Sequence, residues 1–219
     1  MTSCRLHRAL LVASFVLFLA AEGLAQQSVP GVFDSYVLSL SWSPLYCSDP
    51  QRADRDPQQC GEGRRYAFIT HGLWPNNVRP PHPRNCAEPG TLPPDLINQM
   101  LAIMPSPQLI RHQWRAHGTC SGLNMQDYFA TVRAAYRLIR IPQNYQSPAT
   151  DLVVQAATLR SDFRRTNPAI PPNAMRFDCT GRNLRELRVC LTKDLKPKPC
   201  SAAMRDTCGN RAVTMLRVR

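Results

Sequence analysis

The alternation of apolar and polar residues predicts three β-strands. Over residues 36–42, apolar side chains alternate with serines, which is typical of a half-buried strand. A second strand is predicted over 66–70, ending at His71 and Gly72. The alternation of Leu187, Val189 and Leu191 with polar residues or cysteine predicts a third strand near the C-terminus. Strands are therefore expected towards both ends of the chain.

Helical periodicity occupies the middle of the chain. The apolar residues spaced at i, i+3, i+4 and i+7 over 125–139 predict an amphipathic helix. A second helix is predicted over 108–118, started by the segment 105–107 (Pro-Ser-Pro) and ended by Gly118, and a third over 150–165. Polar, proline-rich segments at 48–65 and 79–94 are expected to be surface loops. This order favours an α+β fold, in which a central antiparallel sheet packs against several helices.

The first 25 residues have the pattern of a secretory signal. Arg5 and Arg8 precede an uncharged apolar run over 9–21, and small residues lead up to Ala25, after which we expect cleavage. The apolar run is too short to span a bilayer. We therefore expect an exported protein, periplasmic or secreted, that has no membrane segment after cleavage.

Cysteine counts change once the signal is removed. Cys4 would be lost, and residues 26–219, which we expect to form a single domain, keep an even number of cysteines. In an oxidising compartment this number favours four disulfides. Zinc binding is the alternative, but no Cys-x2-Cys pair occurs and the gaps between the last four cysteines do not suit a tetrahedral site. The remaining cysteines are Cys47, Cys60, Cys86, Cys120, Cys179, Cys190, Cys200 and Cys208.

The net charge of +12 comes almost entirely from arginine. A hydrophobic content of 43% excludes a disordered polyelectrolyte. Because guanidinium groups match the geometry of phosphates and carboxylates, an anionic polymer is the first partner to consider. The alternative is a solvated surface in an arginine-rich chain, which composition alone does not exclude.

Three histidines fall in two compact motifs. His71 follows a predicted strand, and His112 and His117 lie on the predicted helix 108–118. Helical geometry of about 100° per residue lets His112, Gln113 and His117 line one side, while Trp114 turns towards the core. Converging imidazoles near a basic surface suggest general acid–base chemistry on a phosphate. RNA would supply its own nucleophile, the 2′-hydroxyl.

Two other interpretations remain at this point. His112 and His117 could bind a metal, but their i, i+5 spacing differs from the i, i+4 pair of metalloproteases, so neither a metal site nor a cofactor is predicted. The chain could also be a non-catalytic protein that binds RNA or another polyanion. His82, in the proline-rich loop, is expected to be structural.

The two histidine motifs resemble the active-site segments of the ribonuclease T2 family. The family form HGLWP is matched in full over 71–75. The form HEWxKHGTC is matched at His112, at Trp114 and over 117–120. Together with similar segments over 38–47 and 184–200, the resemblance covers most of the mature chain. It implies an endoribonuclease that cleaves single-stranded RNA through a 2′,3′-cyclic phosphate to a 3′-phosphate, without metal, and we expect a monomer.

The resemblance also implies roles for individual residues. His117 would be the general base at the 2′-hydroxyl, His71 the general acid at the 5′-oxygen, and His112 would hold the phosphate. Trp74 and Asn76 occupy positions that contribute to the family's base-binding pocket. The implied disulfides are Cys47–Cys60, Cys86–Cys120, Cys179–Cys208 and Cys190–Cys200.

The chain departs from the family pattern at two positions. Gln113 and Ala116 stand where the family has Glu and Lys. The Lys would stabilise the transition state, and Arg115, about 100° away around the helix, is a poor replacement. Gln113 can still donate to a phosphoryl oxygen. Because it carries no charge, the pKa values of neighbouring histidines should fall.

Overall fold

The computed structural model describes residues 28–218. The predicted signal over 1–25, including Cys4, lies outside the described residues. Within 28–218, no helix is long and apolar enough to cross a membrane.

The described part of the chain contains six strands and seven α-helices. The strands are β1 (Ser35–Trp42), β2 (Phe68–Asn76), β3 (Leu152–Gln155), β4 (Met175–Thr180), β5 (Asn183–Leu191) and β6 (Ala212–Met215). The helices are α1 (Ser43–Tyr46), α2 (Gln51–Arg55), α3 (Pro57–Cys60), α4 (Pro94–Met100), α5 (Pro107–Ala116), α6 (Met125–Arg137) and α7 (Ala156–Thr166).

All six strands join one sheet, and the predicted α+β fold is confirmed. The strand order is β2-β1-β5-β6-β3, and β4 pairs with β5 beside this path. The sheet is mixed instead of purely antiparallel, since β5 and β6 pair in parallel at Asn183 and Thr214. A long connection after β5, held by Cys190–Cys200 and Cys179–Cys208, brings β6 back in the same direction as β5.

The alternation in β1 separates a core face from a polar face. Tyr36, Leu38, Leu40 and Trp42 are all buried in the main hydrophobic cluster, as the sequence predicts. Edge-to-face aromatic contacts then extend from Trp42 through Phe68 to Phe163 of α7, with ring centroids 5.0 and 5.8 Å apart. The opposite face of β1 presents Ser39 and Ser41, and this face carries the site.

Several predicted element bounds differ from the structure. Helix α5 begins at Pro107, where the Ser106 hydroxyl caps it by accepting from the Leu109 amide at 3.2 Å, and ends at Ala116 instead of Gly118. The segment predicted as a helix over 150–165 starts with β3, where two valines favour strand, before α7 begins. The loop predicted over 48–65 contains α2 and α3. Helix α4, β4 and β6 were not predicted.

Strand β2 does not end at His71 but continues to Asn76. Ser39 of β1 faces Gly72 and Leu40 faces Thr70, so His71 is an extra residue with no partner in this pairing. Such a β-bulge changes the direction of a side chain and is common beside active sites. Thr70 and Leu73 are three residues apart but pair with Leu40 and Leu38 on the core face, whereas in a regular strand they would lie on opposite faces. The bulge thus places His71 on the polar face of the sheet.

Eight cysteines form four disulfides in the structure. The pairs are Cys47–Cys60, Cys86–Cys120, Cys179–Cys208 and Cys190–Cys200, which are those that the family resemblance implies.

Candidate active site

The side chains of β2 and of the C-terminal half of α5 meet at the edge of the sheet. The Trp74 ring lies between two histidines, 5.2 Å from the His71 ring and 5.5 Å from the His117 ring by centroids. The His112 ring is 6.4 Å from that of His117. The three predicted histidines therefore form one cluster, in which Trp74 is the common neighbour of His71 and His117.

A hydrogen bond fixes Trp74 against the helix. Its indole Nε1 donates to Gln113 Oε1 at 2.9 Å. Gly72 makes this approach possible, because a Cβ at that position would lie 2.0 Å from Gln113 Oε1 and 2.5 Å from Trp74 Nε1. The other amide atom of Gln113, Nε2, is buried and has no hydrogen-bond partner among the described residues. Gln113 thus keeps one free donor within the site.

A carboxylate that the sequence analysis did not identify holds His71. His71 Nδ1 lies 2.7 Å from Glu186 Oε1, and the other oxygen, Oε2, accepts two hydrogen bonds from Arg188, at 3.0 Å from Nε and 2.9 Å from Nη2. Burial opposes ionisation of Glu186, but the His71 hydrogen bond and the neighbouring positive charges outweigh it and lower its pKa to about 2. An ionised carboxylate only accepts, so His71 Nδ1 carries a proton.

His117 has the opposite environment. It is the residue after α5, 7% exposed, and its Nδ1 has no hydrogen-bond partner among the described residues. Burial, followed by the charges of Arg84, His112 and His71, lowers the pKa of His117 to about 3. His117 is therefore neutral at ordinary pH and able to accept a proton.

His112 is half-buried and faces arginines. Burial, then the charges of Arg115, Arg84 and His71, lowers the pKa of His112. The Arg115 side chain folds back along α5 to within 3.5 Å of His112 Nδ1, so it is closer to the site than its position on the helical wheel suggests. A guanidinium only donates, so this contact leaves His112 Nε2 as the nitrogen that carries the proton of the neutral ring.

The loop that carries Arg84 is anchored to the end of α5. The Asn85 amide donates to the Ala116 carbonyl at 3.0 Å, and the Cys86 amide donates to the Thr119 hydroxyl at 3.2 Å. The Cys86–Cys120 disulfide closes the same junction. This cation is therefore held beside the position where the family Lys is replaced by Ala116, and it acts on both His112 and His117.

A cavity of about 680 Å³ opens beside the histidines. His71 and His112 form part of its wall, together with Tyr46 and Arg52, whose guanidinium lies 4.6 Å from the Tyr46 ring. An aromatic face, a cation and two imidazoles are groups that can contact a nucleotide.

Asn76, predicted to bind a base, and His82, predicted to be structural, both lie apart from the three histidines. Asn76, at the end of β2, is 7% exposed, and its amide donates to the Asn77 carbonyl at 3.2 Å on the wall of a separate cavity of about 200 Å³. A role for Asn76 in base binding stays a prediction. His82 lies in the loop after the cis Pro80–Pro81 bond, and burial lowers its pKa. Within residues 28–218, no group of three or more His, Cys, Asp or Glu side chains could hold a metal ion.

Comparisons with known proteins give a consistent result. The model of the ribonuclease T2 family matches residues 33–200. A ribonuclease of Aeromonas hydrophila is 43% identical over 98 residues, which is 45% of this chain and 42% of that protein. A probable ribonuclease of Haemophilus influenzae is 36% identical over 128 residues, 53% of this chain and 47% of the relative. These alignments therefore span less than half of each relative.

The fold is also that of solved ribonucleases. A variant of RNase MC1 in complex with 5′-GMP superposes with a TM-score of 0.60 and 25% sequence identity, covering 83% of this chain and 98% of the other.

Proposed function

The chain belongs to the ribonuclease T2 family, and from this premise we propose that it is an endoribonuclease that cleaves single-stranded RNA by acid–base catalysis, without a metal or cofactor. Single strands are the expected substrate because a stacked and paired base is not free to enter a side-chain pocket. That a solved ribonuclease of the same fold is in complex with 5′-GMP supports nucleotide binding by this fold.

The proposed reaction has two steps. In the first, neutral His117 accepts the proton of the 2′-hydroxyl, and the 2′-oxygen forms a bond to phosphorus. The bond from phosphorus to the 5′-oxygen breaks, and His71 Nε2 gives its proton to that leaving oxygen, which produces a 2′,3′-cyclic phosphate. In the second step the roles reverse, and water opens the cyclic phosphate to a 3′-phosphate.

Three groups are proposed to act on the phosphate itself. Gln113 Nε2 is a free buried donor, and His112 faces the same space. Arg84 supplies the positive charge that the family places at the position of Ala116. Donors fixed before the reaction stabilise the charge that develops on the phosphoryl oxygens.

One observation carries the proposal, namely the different environments of the two histidines on either side of Trp74. Burial among positive groups keeps His117 neutral, as a base must be, while His71 has a carboxylate partner, Glu186, at 2.7 Å from its Nδ1. A protein that only binds RNA has no need of this difference.

The test is digestion of single-stranded RNA in the presence of EDTA. We expect cleavage of RNA, no cleavage of the 2′-deoxy oligonucleotide, and a 2′,3′-cyclic phosphate among the early products. His117→Ala and His71→Ala should each reduce the rate by about 10²–10⁴-fold, whereas His82→Ala, the matched histidine outside the site, should not. Salt-sensitive binding of RNA without cleavage by the wild-type protein would instead identify a binding protein.

We propose further that the protein acts outside the cytoplasm, in the periplasm or the medium, as a monomer. Four disulfides fit an oxidising compartment. Cell fractionation and analytical ultracentrifugation test the two statements separately.

A further inference from the structure

The polar face of the sheet brings a carboxylate from β5 to the histidine of β2. The two strands lie on opposite sides of β1, about 10 Å apart. On this face β1 presents Ser41, which pairs with Glu186, and Ser39, which pairs with Arg188. Because serine side chains are small, longer side chains from β2 and β5 can meet above them. The bulge at His71 completes the contact of 2.7 Å with Glu186.

Glu186 is itself fixed from its other side. Arg188 donates twice to Oε2, and its guanidinium stands 5.8 Å from the Trp74 ring. Asp178 lies 3.4 Å from Arg188 and accepts a hydrogen bond from Arg185 Nε at 2.6 Å. With the residue 5% exposed and both oxygens occupied, the Glu186 carboxylate has a defined position and little contact with water. Removal of one partner from such a buried ion pair is costly, because the other charge is left buried without a partner.

We propose that Glu186, clamped by Arg188, is the positioning residue of His71, holding the Nδ1 proton so that Nε2 faces the scissile phosphate, and stabilising the imidazolium form. The proposal rests on the proposed role of His71 as general acid. Glu186 does not touch the substrate and acts only through the ring. Among residues 28–218, it makes the only hydrogen bond to that ring.

Other charged groups also face His71. Arg185 of β5 and His112 of α5 line the same cavity as His71, and Arg188 stands beside Trp74. The charge of Arg84 acts on His112 and on His117, the residue after α5. Asp49, Arg52, Arg55 and Asp56 lie across the cavity, two acids against two bases. Among these charged residues, Glu186 is the acid that stands at hydrogen-bond distance from the His71 ring.

The first measurement needs no variant. Long-range ¹H–¹⁵N spectra of the imidazole rings in the intact, disulfide-bonded protein report which nitrogen is protonated, and His71→Ala assigns the signals. We expect neutral His71 to carry its proton on Nδ1. A proton on Nε2 with a bare Nδ1 would overturn the proposal. This result does not depend on RNA cleavage, so it separates failure of the inference from failure of the proposed function.

The second measurement uses Glu186→Gln, whose amide oxygen can still accept from Nδ1 but carries no charge. We expect the pKa of His71, followed by the same spectra, to fall by about 1–3 pH units. The basic limb of kcat/KM against pH should move down by the same amount. Asp206→Asn is the matched control, because Asp206 forms an ion pair of 2.7 Å with Arg160 away from the site. An unchanged His71 pKa in Glu186→Gln, or an equal shift in Asp206→Asn, contradicts the inference.

A substrate with a good leaving group isolates the acid step. A ribonucleoside 3′-(4-nitrophenyl phosphate) releases a phenolate that needs no proton from the enzyme. Glu186→Gln should therefore slow cleavage of a dinucleotide at least tenfold and leave this substrate nearly unaffected. Equal losses on both substrates would mean that Glu186 only maintains the structure.

Discussion

The burial of His117 predicts a loss of stability in mild acid. His117 is 7% exposed, and its pKa in the folded protein is about 3, against 6.5 for an ordinary histidine. As the pH falls, the unfolded chain takes up the proton first. The folded state therefore loses free energy relative to the unfolded state from about pH 6.5 down to about pH 3, and is unaffected by this group above that range.

The size of the loss follows from the same pKa values. Each pH unit between the unfolded and folded pKa contributes about 1.4 kcal/mol, so lowering the pH from 7.5 to 5.0 removes about 2 kcal/mol through His117. The comparison stops at pH 5.0 because carboxylates begin to take up protons below this pH and would add their own effect on stability. Glu186, whose pKa is lowered to about 2, gives a stabilisation that is lost only below its ordinary value of 4.5.

Urea unfolding of the disulfide-bonded protein at pH 7.5 and 5.0 measures this loss. We compare the wild type with His117→Gln, which cannot take up the proton, and with His82→Gln, the same change in an outer loop. The free energy of unfolding of His117→Gln should fall by about 2 kcal/mol less than that of the wild type. The loss of unfolding free energy in His82→Gln should be closer to that of the wild type, because His82 is exposed. Equal losses in the wild type and His117→Gln would refute the reasoning.

Three further predictions concern the site. Gln113→Glu places a carboxylate beside the histidines and should move the acid limb of kcat/KM upward by about one pH unit or more; coincident acid limbs would contradict this. Gly72→Ala forces its Cβ to within 2.0 Å of Gln113 Oε1, so kcat/KM should fall at least tenfold while circular dichroism stays native; full activity would show that the Trp74–Gln113 contact is dispensable. Arg84→Ala should lower kcat/KM by about 10–100-fold, less than a buried oxyanion donor because Arg84 is exposed; the matched loop variant Arg79→Ala should not, and equal effects would assign the loss to overall charge.

Periodicity predicted the elements whose faces differ clearly in polarity. Strand β1 and helix α6 each carry a regular apolar set against a polar one, and both occur close to the expected bounds. The bulge at His71 could not be predicted in this way. It breaks the alternation of β2, so the sequence indicated the end of a strand where the strand in fact changes face.

Long-range pairing explains what the sequence analysis missed at the site. Glu186 and Arg188 alternate with apolar residues in β5, which indicates that they share a face. The local sequence does not show that β5 pairs with β1, and that β1 pairs in turn with β2. Arg84 lies in a proline-rich loop without any period. The implied Cys86–Cys120 disulfide was the available signal, since it ties residue 86 to the motif that ends at residue 120.

The site gives two similar side chains different electrostatic environments by different means. For His117 the means is exclusion of water, which acts on any charge and requires no partner, so it leaves Nδ1 unpaired and makes the folded protein sensitive to acid. His71 keeps about a third of its side-chain surface exposed, and its environment is set instead by a single ionised carboxylate, that of Glu186 at 2.7 Å. Replacement of the family Glu by Gln113 fits this division, because a second carboxylate at this position would favour the charged form of the neighbouring imidazoles. In the proposed mechanism, the base His117 therefore stays neutral more readily with the neutral side chain at position 113.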